Sequence, residues 1–225
     1  MTRVAVTTDR FESVASEYAD AGLEPVALPC IRIRPAPSDQ MASARADYAR
    51  ADFALITSPR VVRLLWPGGG MPNVETAAIG PTTAVAVSNA GGRVGIVGDA
   101  GLARLVDLVE ERLSEGRTIV VRAAESDAVA MTRLRRLAAD LDDHVVYRTS
   151  SVPPGSDPVD AVAFASPSAV RGWRLTRGLD GLIVGAIGVT TSRAVAEYRV
   201  PHVIADKPSH RSLAEVIATF LAVMA

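Results

Sequence analysis

Short apolar runs alternate along the chain with longer segments whose apolar residues recur every three or four positions. Residues 102–113 show the second pattern, because Leu102, Leu105, Val106 and Val109 fall at helical spacing while acidic residues occupy the other face. The apolar runs predict strands over 3–7, 25–29, 53–57, 77–79, 94–97, 118–122, 144–148, 160–164, 184–187 and 202–204. The periodic segments predict helices over 10–21, 39–50, 59–66, 82–90, 101–114, 128–140, 167–177, 190–198 and 210–224. Strands that alternate with helices are typical of an α/β protein whose parallel sheets are covered on both faces.

An internal repeat divides the chain into two related halves. Residues 52–59, DFALITSP, resemble residues 160–167, DAVAFASP. Residues 78–83, AIGPTT, resemble residues 186–191, AIGVTT, at the same offset of 108 residues. Two signatures that share one offset predict two similar α/β units.

Two proline-rich stretches predict extended connections between these units. If both cross between the units, one unit is built from both chain ends and the other from the middle, with five strands each. The predicted domains are 1–30 with 155–225, and 36–149, joined by linkers at 31–35 and 150–154. The alternation of Ile31 and Ile33 with arginines also allows the first linker to form a short strand.

Four helix starts follow predicted strands at corresponding places in the two units. Ser58 and Ser166 are good N-caps, and each precedes a proline suited to the first helical position. Gly80 and Gly188 permit a tight turn and close backbone approach, and the threonines after them can cap the next helix. One interpretation is that these are simply well-made helix starts. The alternative is that their repetition creates two surfaces that bind anions through backbone N–H groups. The candidate binding residues here are Thr57, Ser58, Arg60, Gly80, Thr82, Thr83, Ser166, Ser168, Gly188, Thr190 and Thr191.

Two side chains at predicted strand ends are further candidates. Tyr147 ends strand 144–148 beside a linker and is a possible proton donor, or else a ring that packs at a domain edge. Arg122 ends strand 118–122, where it either meets a carboxylate or is a solvated surface arginine.

Composition narrows the classes of function. Among the 225 residues, 24 basic and 25 acidic side chains give a formal charge of −1, which argues against a non-specific nucleic-acid binder. Cys30 is the single cysteine, and the three histidines are scattered, so no disulfide and no structural metal site are expected. The absence of a long apolar run predicts no membrane span and no signal peptide, and hence a cytoplasmic protein; nothing points beyond a monomer.

Taken together, the motifs resemble those of uroporphyrinogen-III synthase over the whole chain. The resemblance rests on residues 57–60 and 166–168, the two Ala-Ile-Gly-x-Thr-Thr stretches, residues 146–149, 4–8 and 207–209. It implies two flavodoxin-like α/β domains joined by a double connection, with the first domain built from both chain ends.

The resemblance also implies a reaction that needs no cofactor. The substrate is hydroxymethylbilane, a linear tetrapyrrole with eight carboxylates, and the product is uroporphyrinogen III, closed with ring D inverted and water lost. The tetrapyrrole is expected between the domains, held largely by backbone N–H groups, with Thr7 in the opening loop among the contacts. Tyr147 matches the tyrosine favoured for assisting departure of the hydroxyl, since a neutral phenol is a donor and not a base.

Some residues depart from the family pattern. Thr7-Thr8-Asp9 stands where Thr-Arg-Pro is usual, Ala123 follows Arg122 where a glycine-rich turn is frequent, and Asp143 stands where a glycine is common. These departures leave open a non-catalytic, tetrapyrrole-binding or regulatory paralogue. A two-domain binding protein for another polyanion, or an interaction module, is a more distant alternative.

Overall fold

The computed structural model describes residues 1–99 and 101–224 as an α/β protein. Its strands are β1 (Arg3–Val6), β2 (Glu24–Ala27), β3 (Ile31–Pro35), β4 (Phe53–Ile56), β5 (Glu75–Ala78), β6 (Arg93–Val97), β7 (Arg117–Ala123), β8 (Asp140–Ser151), β9 (Ala161–Phe164), β10 (Ile183–Ala186) and β11 (Val203–Ile204). Its α-helices are α1 (Ala15–Asp20), α2 (Ser38–Tyr48), α3 (Pro59–Leu65), α4 (Pro81–Asn89), α5 (Gly101–Val109), α6 (Ala128–Leu137), α7 (Pro167–Trp173), α8 (Val189–Ala196) and α9 (His210–Met224). Among the described residues, no helix is long and apolar enough to cross a membrane.

The first sheet has five parallel strands in the order β11-β10-β9-β1-β2. Its central strand β9 is an uninterrupted apolar run in which every residue is buried, as expected for a parallel strand covered on both faces. Val4 and Val6 of β1 pack in one core with residues of α1 and α9. Ala5 points to the other face and packs in the core that contains Trp173 of α7.

The second sheet has six strands in the order β3-β8-β7-β4-β5-β6, so the prediction of a five-stranded parallel sheet is wrong here. The sixth strand is β3, which forms from the predicted linker. Hydrogen bonds from Ala36 N to Val146 O and from Val152 N to Cys30 O, both 2.9 Å, show that β3 runs antiparallel to β8. The second sheet is therefore mixed, and both linker segments contribute residues to it.

The repeat in the sequence is also a repeat in strand order. If β3 is set aside, the second sheet reads β6-β5-β4-β7-β8, and the first reads β11-β10-β9-β1-β2. The repeat-related strands β4 and β9 take the same place, as do β5 and β10. The chain divides into two compact units: unit 1, Met1–Ile33 with Ser150–Ala225, and unit 2, Arg34–Thr149.

The largest departure from the predicted elements lies at the junction of α6 and β8. The predicted helix continues to residue 140, but α6 ends at Leu137, and Ala138 is extended with ψ of 132°. Asp142 and Asp143 then lie in β8, where they pair with Arg117 and Arg122 of β7 at 2.6 Å each. These ion pairs are contacts between strands, which a local helical pattern does not reveal.

Candidate active site at the carboxyl edges of the sheets

Each sheet has a point where the order of its strands reverses, and the candidate residues follow the strands that meet there. In unit 2 these strands are β4 and β7, and in unit 1 they are β9 and β1. Ligands of open α/β sheets bind beyond the carboxyl ends of the strands at such points. The edges beyond these two strand pairs are therefore the candidate ligand sites.

Two threonines hold these strand pairs together. The Thr7 hydroxyl, fully buried, donates to Ala163 O at 2.7 Å. The Thr57 hydroxyl donates to Val121 O at 3.3 Å. Both hydroxyl protons are used within the fold, so these side chains fix the edge and leave their remaining oxygen lone pairs as the only polar function for a ligand.

The structure brings two of the predicted residues, Ser58 and Tyr147, into contact. Their hydroxyl groups share a hydrogen bond of 3.0 Å. Ser58 caps α3 by accepting from Val61 N at 3.3 Å, and Tyr147 is only 8% exposed. The Arg60 guanidinium lies 5.8 Å from the centre of the Tyr147 ring, within range of a cation–π contact. A phenol is thus held at the end of β4 with its hydroxyl oriented by a serine.

Arg122 meets a carboxylate, but that carboxylate belongs to the protein. Its guanidinium binds Asp143 through two hydrogen bonds, of 2.6 and 2.9 Å, and Arg135 binds the same carboxylate at 2.6 Å. Burial alone would raise the pKa of Asp143, but the hydrogen bonds and charges of the two arginines lower it below its ordinary value. This network anchors β8, the strand that carries Tyr147.

The corresponding edge of unit 1 lacks such a phenol. Ser166 caps α7 by accepting from Ala169 N at 3.2 Å, and Ser168 O accepts from the Ser151 hydroxyl at 2.8 Å. The Ser168 hydroxyl accepts from Arg171 at 3.0 Å. In the repeat, Ser166 corresponds to Ser58 and Ser168 corresponds to Arg60. In the described part of the chain, however, no tyrosine hydroxyl forms a hydrogen bond with Ser166 or Ser168.

The two glycine starts differ from the prediction. Gly80 has φ of −176° and Gly188 has φ of 175°, which is extended backbone open to any residue. The glycines themselves are the N-caps, and neither helix has a capping side chain, so the threonines do not cap. The first threonine of each pair, Thr82 or Thr190, is exposed, and the second, Thr83 or Thr191, is buried. A tight turn therefore does not require glycine at either position.

A pocket of about 320 Å³ lies beside Tyr147 and is also lined by Arg34 and Arg148, which sequence analysis did not select. The alternation of arginines in residues 31–34 is visible in the sequence, but the pairing of β3 with β8 is not. Among the described residues, no group of three or more His, Cys, Asp or Glu side chains is arranged to hold a metal ion.

Comparison with known proteins gives one family and one fold. The family model described as uroporphyrinogen-III synthase HemD matches residues 12–215. A crystal structure of a mutant uroporphyrinogen III synthase from Thermus thermophilus is 20% identical, with a TM-score of 0.68, over 99% of this chain and 100% of that one. A uroporphyrinogen-III synthetase from Helicobacter pylori is 18% identical, with a TM-score of 0.66, over 100% and 99%. No curated protein sequence gives a significant match. At these identities the solved structures show a shared α/β fold.

Proposed function

Because the chain belongs to the uroporphyrinogen-III synthase family, we propose that Tyr147 is its proton donor and that the two sheet edges hold its substrate. The protein is a hydro-lyase of tetrapyrrole biosynthesis. It converts hydroxymethylbilane into uroporphyrinogen III and water, with ring D inverted.

The reaction requires a well-positioned substrate and one proton for the departing hydroxyl. The pyrrole nitrogen lone pair expels the hydroxyl once that oxygen receives a hydrogen bond or a proton, and the product of this step is an electrophilic azafulvene. Attack by the substituted carbon of ring D gives a spiro intermediate and then the inverted isomer, whereas unassisted closure gives the uninverted one. The enzyme therefore selects between two transition states by holding the chain in one arrangement.

The contact between Tyr147 and Ser58 is the observation that carries the proposed role of the tyrosine. The Tyr147 phenol donates its proton to the departing hydroxyl, which leaves as water, and Ser58 steadies the phenolate by donating a hydrogen bond. The proton released from the pyrrole carbon at ring closure then returns to Tyr147. The hydrogen bond of 3.0 Å and the low exposure of Tyr147 support this assignment, because both keep the phenol in one orientation.

The substrate carboxylates are proposed to bind at the uncapped helix starts. Beyond Gly188 no side chain caps the first amides of α8. Beyond Gly80, Pro81 has no N–H and Thr83 N donates to Gly80 O at 3.0 Å, so Thr82 N is the amide that α4 offers. The exposed side chains of Thr82 and Thr190 lie beside these amides. Backbone N–H groups at a helix start favour anions whatever the neighbouring side chains. The other residues proposed at these edges are Thr7, Thr57, Ser58, Arg60, Thr83, Ser166, Ser168 and Thr191. The buried side chains of Thr7, Thr83 and Thr191 shape the edges, and Arg122 acts through its anchoring of β8.

We further propose that the two units are flavodoxin-like domains, over 1–30 with 155–225 and over 36–149, joined by linkers at 31–35 and 150–154. The matching strand orders of the two sheets support this division. We also propose a monomeric, cytoplasmic protein that does not bind nucleic acid. The even charge balance supports the absence of nucleic-acid binding, and the single buried, unpaired cysteine supports the cytoplasmic location. The location of the substrate between the domains stays a prediction.

Replacement of Tyr147 by phenylalanine tests the assignment. We expect Tyr147→Phe to lower kcat about 100-fold, because general acid catalysis typically contributes at least that much. The measurement supplies hydroxymethylbilane from a coupled enzyme and separates isomers III and I after oxidation. The control is Tyr198→Phe, a partly exposed tyrosine of unit 1 whose ring contacts Arg174. An unchanged kcat in Tyr147→Phe would remove this residue from the mechanism, while a wild-type protein that yields only isomer I would refute the activity itself.

A further inference from the structure

The pocket beside Tyr147 carries two arginines that the proposed mechanism does not use. Arg34 comes from β3 and Arg148 from β8, and Gln40 of α2 adds a polar amide to the lining. The volume of about 320 Å³ is near the lower end of the range of small-molecule sites, roughly 300–1,000 Å³. The pocket is thus suited to one carboxylate-bearing arm of a tetrapyrrole and not to the whole molecule.

The pairing of β3 with β8 places the two arginines directly opposite each other. The hydrogen bond from Ala36 N to Val146 O fixes the antiparallel register, and two residues further along this register are Arg34 and Arg148. Side chains directly opposite in an antiparallel pair lie on the same face of the sheet, where like charges destabilise the pairing. Arg34 and Arg148 therefore form a like-charge pair across the two strands.

Neither arginine has an ion-pair partner in the part of the chain that the structure describes. In residues 1–99 and 101–224, neither Arg34 nor Arg148 makes a hydrogen bond or an ion pair with another side chain. By contrast, Arg117 and Arg122 on the adjacent strand each bind an aspartate at 2.6 Å. The nearby Glu125 carboxylate accepts from Thr149 N at 2.9 Å, so it is engaged with backbone. Two unpaired guanidinium groups that face each other form a receptor for one anion between them.

Prolines flank the pair. Pro35 and Pro37 line the same pocket and fix the φ angles of the chain on either side of Ala36. The backbone that carries Arg34 is thereby ordered before any ligand arrives, which lowers the entropic cost of binding.

We propose that Arg34 and Arg148 together bind one substrate carboxylate in the pocket that Tyr147 also lines. This inference rests on the proposed function and adds two binding residues to it. Both arginines remain exposed, so their attraction for the carboxylate is screened by salt.

The test compares Arg34→Gln, Arg148→Gln and the double variant with Arg136→Gln, which removes an exposed arginine of α6 that makes no ion pair within the described chain. We expect each single variant to raise KM for hydroxymethylbilane about fivefold, with kcat within about twofold of wild type, because the lost contact is made equally in the ground and transition states. The double variant should raise KM by less than the product of the two single effects, because the arginines share one anion. Raising the salt concentration should increase the KM of the wild type and of Arg136→Gln more than that of the double variant.

Thermal unfolding separates binding from folding. Because the replacements relieve a like-charge contact, Tm without ligand should stay level or rise, while the rise in Tm on adding uroporphyrinogen III should shrink in the double variant. A KM equal to wild type in both single variants would overturn the proposal. A fall of kcat and Tm together, with KM unchanged, would also overturn it by assigning the arginines to folding. Failure of the wild type to form isomer III would instead refute the proposed function, so the two failures are distinguishable.

Discussion

The sheet edge at Ser58 and the sheet edge at Ser166 begin alike and end differently. In both, an apolar buried strand leads into a serine that caps a helix of seven residues starting with proline. Only the Ser58 edge has a phenol within hydrogen-bond distance in the described chain, because β8 carries Tyr147 there. In unit 1 the chain beyond the corresponding strand β2 reaches Cys30, a buried residue. Burial raises the pKa of the Cys30 thiol to about 12, so this thiol is a poor proton donor.

The difference between the two edges suits two roles, the binding of carboxylates at both sheets and the supply of a proton at one of them. Both units keep the uncapped helix start at Gly80 or Gly188, which suits the binding of carboxylates. In the described residues, only unit 2 adds a phenol at this place, the one that we propose as proton donor, together with the ion pairs of Asp143 that anchor its strand. On this proposal both edges bind carboxylates, and the edge of unit 2 also supplies the proton.

The largest expected difference between the units is their response to acid. Burial, helped by the charge of Arg10, lowers the pKa of His210 in unit 1 to about 4, and its Nδ1 lies 2.9 Å from the Tyr18 hydroxyl. The unfolded chain binds this proton near pH 6.5, so the free energy of unfolding of unit 1 should fall by about 3 kcal/mol between pH 6.5 and 4. Asp143 in unit 2 has a lowered pKa. Its contribution to the free energy of unfolding of unit 2 should be lost only below about pH 4, as the carboxylate becomes protonated in the folded state.

Denaturant unfolding at several pH values checks this order. Trp173 in unit 1 and Trp66 in unit 2 are both buried, so a Trp66→Phe variant reports on unit 1 and a Trp173→Phe variant on unit 2. In the His210→Gln variant, the free energy of unfolding of unit 1 should change little between pH 6.5 and about 4. If the free energy of unfolding of unit 1 with His210 present does not fall between pH 6.5 and about 4, the buried neutral histidine does not determine its pH dependence.

Paired serine variants give the next largest effect. Ser58→Ala and Ser166→Ala each remove an N-cap, which costs about 1 kcal/mol of stability. We expect Ser58→Ala alone to lower kcat about tenfold, because Tyr147 loses the partner that orients it. Steady-state kinetics and thermal unfolding of the two variants measure these effects side by side. Equal losses of kcat in both would show that the two edges contribute alike to the chemical step.

Replacement of the glycines gives the smallest effect. A Cβ at Gly80 would lie 3.8 Å from Gly98 O, and one at Gly188 would lie 4.0 Å from Pro208 Cβ, both ordinary contacts. Gly80→Val and Gly188→Val should therefore fold, yet raise KM about threefold by keeping carboxylates away from the amides. The alanine variants at the same positions are the controls, with a smaller rise expected. Normal KM in both valine variants would show that these turns do not contact the substrate.

Local sequence predicts most of this fold because apolar runs become buried strands. Phe53–Ile56 and Ala161–Phe164 form the central strands β4 and β9, as their composition indicates. The extent of β8 was not predictable, since Asp142 and Asp143 lie in it through backbone pairing with β7 and ion pairs with arginines of that strand. The pairing of β3 with β8 is likewise a contact between strands that are distant in sequence, and it changes the second sheet from five strands to six.

For the candidate site, the sequence indicated residue types but not their partners. The repeat singled out Ser58, and the family resemblance singled out Tyr147, yet these residues are 89 positions apart and their hydrogen bond depends on how β8 lies against β7. Arg122 had the expected type for an anion site, but Asp143, 21 positions further along the chain, occupies it. The role of a side chain at a strand end thus depends on a neighbouring strand that local sequence does not specify.

The central position of β9 in the first sheet has a consequence for protein synthesis. β9 lies between β1 and β10, so β1 and β2, which are synthesised before it, lack this neighbour until residue 161 has been translated. At about 5–20 residues per second this delay is roughly seven to thirty seconds. Unit 2 is one uninterrupted segment, Arg34–Thr149, and is complete before that moment. The nascent chain therefore completes unit 2 first, while β1 and β2 still lack the strand that joins them to the rest of their sheet.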